Sequence, residues 1–400
     1  MGLIDIELSL TDEERAARDL AHRFAAEVMR PAGMALDRMP DPADVIAPTS
    51  VLWDVLTQFH ALGIAHIAND PTMDPVAKAR MMLLINEELA WGDIGLAQAV
   101  GLTHFHQEWV KQTGDPVLHE RFCAPDRPIP ACWALTEPDH GSDTVAFTEP
   151  YFSDPALRAN CTARKVGNEY VISGQKAAWV TNGTIAEIAL LFCTVDPRQG
   201  FKGGAGFLVP LDLPGVERSK PVKKIGHRAS NQGALYFNEV TIPAAYMVVP
   251  PEAYAAVLEL SLAWGNAHVA IEALGVARAA LEHALAYAKE RVQGGQPIIE
   301  HQSVKARLFK MFMKVEAARA LARRVLLYTA AHGPQIQHSI ASKVFCTSTA
   351  FEVASEAVQI FGGAGLTEEY PVEKLLRDAR ACMLQDGCNE VLGLMGASRL

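Results

Sequence analysis

The chain has 400 residues, half of them hydrophobic and 20% charged; this composition excludes a disordered or small disulfide-stapled protein and suggests two or three domains. Its 36 Lys and Arg against 46 Asp and Glu give a formal charge of −10, the wrong sign for a surface that neutralises nucleic-acid phosphates. The most apolar long window, residues 261–288, is interrupted by Asn266, His268, Glu272, Arg278 and Glu282, so no uncharged run approaches the ~20 residues of a membrane-spanning helix.

Taken in chain order, the N-terminus carries Asp5, Glu7, Asp12 and Glu13 in place of a basic leader, and Met1-Gly2 lacks the later hydroxyl residue of a myristoylation site. Thr11 and Asp12 start a capped helix running to Val28, and residues 81–110 carry helical apolar stripes. Residues 1–127 are therefore expected to form an α-helical domain. At Pro128 and Pro130 the texture changes, and up to about Pro251 the chain is dense in Gly, Pro and short β-rich runs. The runs 169–173, 189–195, 205–209 and 234–240 have strand length, so residues 128–250 are expected to form a β-domain. Helical periodicity then returns near 253–292, 303–332, 336–362 and 371–399, which predicts an antiparallel four-helix bundle over residues 251–400. The seven cysteines form no C-x-x-C pair, a reduced, cytosol-like usage. A cytoplasmic location is expected. Ser398-Arg399-Leu400 is similar to a peroxisomal address, but three residues at the end of a helical pattern match one readily by chance.

Residues able to do chemistry gather in four places, none of them a P-loop, a Rossmann glycine fingerprint, a zinc-protease helix or a serine nucleophile elbow. Residues 135–143 (Leu-Thr-Glu-Pro-Asp-His-Gly-Ser-Asp) offer hydroxyls and backbone N–H groups to an anion or polar ring, or equally an Asx-capped turn. Residues 174–183 place Trp179 beside Thr181, an apolar face next to a hydroxyl, though a strand and tight turn explain the run nearly as well. Glu290-Arg291 with Glu300-His301-Gln302, and the glycine bend Gln359 to Gly365, follow at helix ends.

In this order and at these separations the four resemble the acyl-CoA dehydrogenases, FAD enzymes that desaturate acyl-CoA thioesters between the α and β carbons. The resemblance is carried by Thr136-Glu137-Pro138 with Gly141-Ser142-Asp143, by Trp179 to Gly183, and by Gly362-Gly363-Ala364-Gly365 followed by Tyr370 to Lys374 and Arg377-Asp378-Ala379. It implies an N-terminal helical domain, a middle β-barrel and a C-terminal four-helix bundle. It also implies that Thr136, Ser142, Trp179 and Thr181 contact the flavin and its pyrophosphate. Arg291, Gln302, Gln359 and Gly363 would serve the FAD of a neighbouring subunit in a homodimer or homotetramer. An electron-transfer flavoprotein is the implied partner, and no metal is expected.

Most members carry their base as Glu in a Tyr-Glu-Gly-Thr run; here the run is Gln385-Asp386-Gly387-Cys388. The resemblance thus assigns the α-proton abstraction to Asp386, with one methylene less. Pulling a carboxylate back by roughly 1 Å can cost about 10²-fold in rate. The alternative base position on the first long C-terminal helix is Gly265, which has no side chain. Trp91, Asp93, Gln98 and His104 fall where relatives line the acyl cavity, with Asp93 the second-choice base. Further departures are Asn266 for an Arg, Gly294 for an aromatic, a longer segment at 144–161 and an extra residue within 176–179. No Arg lies between Glu88 and Trp109, which argues against a dicarboxylic acyl group. An acyl-CoA oxidase, a nitroalkane-oxidase-like enzyme with an Asp base, and a non-catalytic subunit of a hetero-oligomer stay open as alternatives.

Overall fold

The computed structural model describes residue 6 and residues 10–400; Met1-Gly2, Asp5 and Glu7, which in the sequence argue against a leader or a myristoylation site, lie outside the described residues. Helix α1 (Asp12–Phe24) begins with a capping box: Thr11 Oγ1 accepts the Glu14 N–H and the Glu14 carboxylate accepts the Thr11 N–H. The helix does not stop at Val28. It passes through a π turn at Ala25–Met29 into α2 (Arg30–Asp37), where Pro31 occupies the first turn, the one place in a helix that tolerates its missing N–H. Three shorter helices, α3 (Pro42–Val45), α4 (Val51–Ala61) and α5 (Ile64–Asn69), and the long α6 (Pro75–Gly101) lead to α7 (His106–Thr113) and α8 (Pro116–Phe122).

The strands that follow are β1 (Ala131–Ala134), β2 (Thr162–Val166), β3 (Glu169–Thr181), β4 (Ile188–Thr194), β5 (Gly204–Pro210), β6 (Val216–Arg218), β7 (Gln232–Pro243) and β8 (Met247–Val249). They form one mixed sheet in the order β6-β7-β3-β2-β4-β5-β8, with β1 added in parallel on β4. Every residue of β4 and β5 is buried, as their near-continuous apolar runs require of strands covered on both faces.

Helix α9 (Tyr254–Glu290) then leads through a ribbon, β9 (Val292–Gln293) and β10 (Gln296–Pro297), into α10 (Gln302–His332) and α11 (Ile336–Phe361). The helix expected over 371–399 is two helices, α12 (Val372–Cys382) and α13 (Asn389–Ala397). Between them Asp386 (φ 51) and Gly387 (φ 90) adopt left-handed backbone, which no α-helix continues through. The α, β, α order expected from periodicity is present.

The largest core cluster joins α1, α4 and α6 to the C-terminal helices. Helices α6 and α9 approach closely at Gly275, where a Cβ would lie 2.6 Å from Glu87 O. Around that contact runs a buried ionic network. Arg278 bonds Glu87 and Glu88, and Arg319 and Arg323 bond Glu87 from α10. Burial alone would raise the Glu87 carboxyl, but the three guanidiniums outweigh it and hold it at about 2. The network locks α6, α9 and α10 in one register, which fixes the elements that carry the site.

Candidate active site

The loop at 135–143 is built on a buried ion pair. Glu137 meets Lys176 Nζ of β3 at 2.7 Å and accepts the Cys161 N–H at 3.0 Å. Its neighbour Thr136 accepts the Ala177 N–H at 2.8 Å, so the loop lies along β3. Beyond it, Asp143 accepts from Gly141 N–H (2.6 Å) and bonds His140 Nδ1 (2.8 Å), which fixes the turn that presents Ser142.

Strand β3 departs from regular pairing between Lys176 and Val180. Lys176 pairs with Leu235 but Val180 with Gly233, so three residues of β3 face one of β7, a bulge that redirects side chains. Trp179 stands out of it with 59% of its surface exposed. Two residues on, past the bulge, Thr181 Oγ1 accepts from Gln232 Nε2 at 3.0 Å. Asn182, with left-handed backbone (φ 59), ends the strand by donating from Nδ2 to Ala99 O of α6 at 3.0 Å.

From Ala99 the contacts return to Asp386. Gln98 Nε2 donates to Gln385 Oε1 at 2.6 Å, and Gln385 Nε2 donates to Glu272 Oε2 of α9 at 3.4 Å. On the far side of Asp386, Cys388 N–H donates to Ser142 Oγ at 3.0 Å. The loop at 135–143, the end of β3, the end of α6 and the loop at 383–388 therefore close a ring of contacts. Within it the structure brings together Thr136, Ser142, Trp179, Thr181, Gln98 and Asp386.

Asp386 faces α9 where that helix has no side chain: a Cβ on Gly265 would lie 3.3 Å from Asp386 Oδ2. Its left-handed loop is held by the buried Lys343, whose Nζ donates to Gly387 O (2.8 Å) and Asn389 Oδ1 (2.9 Å). The Asp386 side chain keeps solvent access on one side, while protein atoms surround it on the others. This setting raises its carboxyl above the usual range, and the nearby Lys343 and His268 only partly oppose the rise. Water in the open side moderates the effect, and a ligand filling that side would remove the moderation. Glu272 is raised to about 7, first by burial and then by the Asp386 charge.

The remaining expected residues lie elsewhere. Trp91 is not beside Asp386: its indole N–H donates to Glu282 (2.8 Å), and the Arg30 guanidinium lies 3.4 Å above its ring. Asp93 is buried in an ion pair with Lys374 (2.6 Å) and caps the second half of α6 at Leu96 N–H. Both line a separate cavity of about 210 Å³ with His283 and Asp378. His104 stacks on Phe59 at 6.3 Å, and burial and the nearby His106 depress its imidazole to about 4. Arg291, Gln302, Gln359 and Gly363 sit exposed at the ends of α9, α10 and α11. The ribbon after Arg291 turns through Gly294 (φ 64) and Gly295 (φ 83). The longer segment at 144–161 is folded down, with Phe152 buried against Phe201 at 5.8 Å.

Glu272, His268, Gln385, Lys343 and Gln232 were not among the expected site residues. The first two carry a usable signal, since Gly265, His268 and Glu272 are spaced i, i+3, i+7 and share one face of α9.

The ring fits a flavin: an exposed indole next to hydroxyls is what a flat ring with polar edges requires, and Gly141 has open space where a Cβ would lie.

Comparison with known proteins matches residues 132–240 to the acyl-CoA dehydrogenase middle domain and residues 255–400 to the acyl-CoA dehydrogenase C-terminal domain. The chain is 27% identical to the mitochondrial short-chain specific acyl-CoA dehydrogenase of Mus musculus, over 98% of this chain and 91% of that protein. It is 32% identical to the cyclohex-1-ene-1-carbonyl-CoA dehydrogenase of Syntrophus aciditrophicus, over 74% and 68%. The structure of butyryl-CoA dehydrogenase from Megasphaera elsdenii superposes with a TM-score of 0.83 at 29% identity, covering 98% of this chain and 99% of that one.

Proposed function

The chain belongs to the acyl-CoA dehydrogenase family, and from that premise we propose that it carries out FAD-dependent α,β-dehydrogenation of an acyl-CoA thioester with Asp386 as the base. The observation that supports the proposal is the ring of contacts that ties the Asp386 loop to Ser142 through Cys388 N–H, and through Gln385, Gln98 and Ala99 to Asn182, the residue after Thr181. When bound, FAD supplies the acceptor for the hydride that leaves the β carbon. Thr136, Ser142, Trp179 and Thr181 hold it.

Asp386 takes the α-proton onto its carboxylate. Its raised affinity for protons moves it towards the working range of a general base. The shorter side chain is accommodated by left-handed backbone and by the space that Gly265 leaves on α9. The Lys343 ammonium keeps that backbone in place through Gly387 O, so the carboxylate is aimed before substrate arrives.

The exposed Arg291, Gln302, Gln359 and Gly363 serve the cofactor of a neighbouring subunit in a homodimer or homotetramer, and an electron-transfer flavoprotein takes the electrons. Anaerobic mixing of the holoprotein with a panel of short saturated acyl-CoAs tests the reaction. Bleaching of the flavin with formation of the α,β-unsaturated thioester is expected. A flavin that stays oxidised with every acyl-CoA overturns the proposal.

A further inference from the structure

The face of α9 that looks onto Asp386 presents hydrogen-bond acceptors. His268 Nδ1 lies 2.9 Å from Trp264 O. A carbonyl only accepts, so Nδ1 carries the proton and the neutral ring keeps Nε2 as an acceptor. Burial holds this imidazole neutral. Glu272 takes a hydrogen bond from Gln385 on Oε2, lies close to the Gln98 amide, and is near enough to Asp386 for that charge to act on it. The nearby cation, Lys343, is committed to Gly387 O, Asn389 Oδ1 and, at 3.5 Å, Met383 O. An apolar acyl tail would leave His268 Nε2 and the remaining lone pairs of Glu272 without donors, and a carboxylate tail would meet the charge of Asp386. Both are costly once a bound ligand displaces water from the open side of Asp386.

We infer that Glu272 and His268 select a short acyl group that carries its own hydrogen-bond donor, an ammonium or a hydroxyl. Glu272 is seven residues beyond Gly265, about 10 Å along α9, and a long helical side chain lies back over the preceding turn. The Glu272 carboxylate therefore sits about 5 Å past the base, within reach of a γ or δ substituent. The hydrogen-bonded bridge from Gln98 through Gln385 to Glu272 closes the space beyond it, which limits chain length.

The inference rests on the proposed acyl-CoA reaction for the placement of the α carbon, and binding can be read without turnover. The probes are CoA thioesters with sulfur in place of the β carbon, which cannot be dehydrogenated, matched in length and ending in methyl, hydroxyl, ammonium or carboxylate. Calorimetric titration of the holoprotein should show the hydroxyl or the ammonium probe binding at least ~10-fold tighter than the methyl probe, with the carboxylate weakest. Glu272→Leu should abolish or invert that order. Glu272→Gln should keep the hydroxyl preference and lose that for the ammonium. Methyl binding as tight as both donor probes, or a donor preference that survives Glu272→Leu, overturns the inference. If no acyl-CoA reduces the flavin yet the donor probes still bind tighter, the reaction falls and the selectivity stands. Failure of all four probes to bind overturns both.

Discussion

Gly265→Ala should raise the stability of α9 and slow flavin reduction, two effects of opposite sign from one methyl group. Gly265 lies in the interior of the helix, where alanine is favoured over glycine by about 1 kcal/mol. The added Cβ would meet Asp386 Oδ2 at 3.3 Å, closer than an ordinary van der Waals contact by a few tenths of an ångström. The carboxylate must withdraw by about that distance. If about 1 Å of misplacement costs about 10²-fold, a few tenths cost roughly 3- to 10-fold, or about 0.6–1.4 kcal/mol. Stopped-flow reduction of the flavin under anaerobic saturating substrate reads the rate, and thermal unfolding at equal protein and FAD concentration reads the stability. A rate unchanged within about 2-fold, with the helix no less stable, would show that the α-proton is not taken by a carboxylate held against Gly265.

Arg278→Met should cost about 3–5 kcal/mol in a denaturant titration, because it leaves Glu87 and Glu88 buried with fewer countercharges; a loss under about 1 kcal/mol would contradict a structural role for the network. Glu272 is raised to about 7, so between the unfolded value of 4.5 and that point the folded chain holds a proton the unfolded chain has lost. Stability should therefore fall as pH rises through that window and level off above it, and Glu272→Gln should flatten the fall by about 1–3 kcal/mol. Parallel pH profiles of the unfolding midpoint for the two proteins would contradict the assignment. Arg291→Ala should release FAD on dilution while helix content stays constant; full retention of FAD, or a monomeric holoprotein, would count against a cross-subunit contact.

Periodicity reads the α, β, α order because long apolar stripes and strand-length runs are local. The bulge that exposes Trp179 lies at 176–180, the stretch in which the resemblance to the family implies an extra residue. The break in the last helix is harder to read. Gln385, Asp386 and Gly387 follow a regular helical pattern, and the left-handed pair is imposed from a distance by Lys343 and by Ser142 on Cys388 N–H. Trp91 and Asp93 occupy the helix that leads to the site, yet tertiary partners that the sequence order conceals, Arg30, Glu282 and Lys374, claim their side chains. Glu272 reads in sequence only as an interruption of an apolar window. Its role depends on which face of α9 meets Asp386, and that face is set by the Gly275 contact with α6.

The assignment of Asp386 is tested most directly by the Asp386→Asn variant, which keeps size and packing and removes the basic carboxylate. The flavin and acyl-CoA should bind as before, while anaerobic reduction falls by ~10³-fold or more, on the order of 4 kcal/mol. Asp93 cannot substitute, being held by Lys374. Reduction at a rate near that of the unaltered protein would contradict the account and point to Glu272 as the carboxylate that takes the proton.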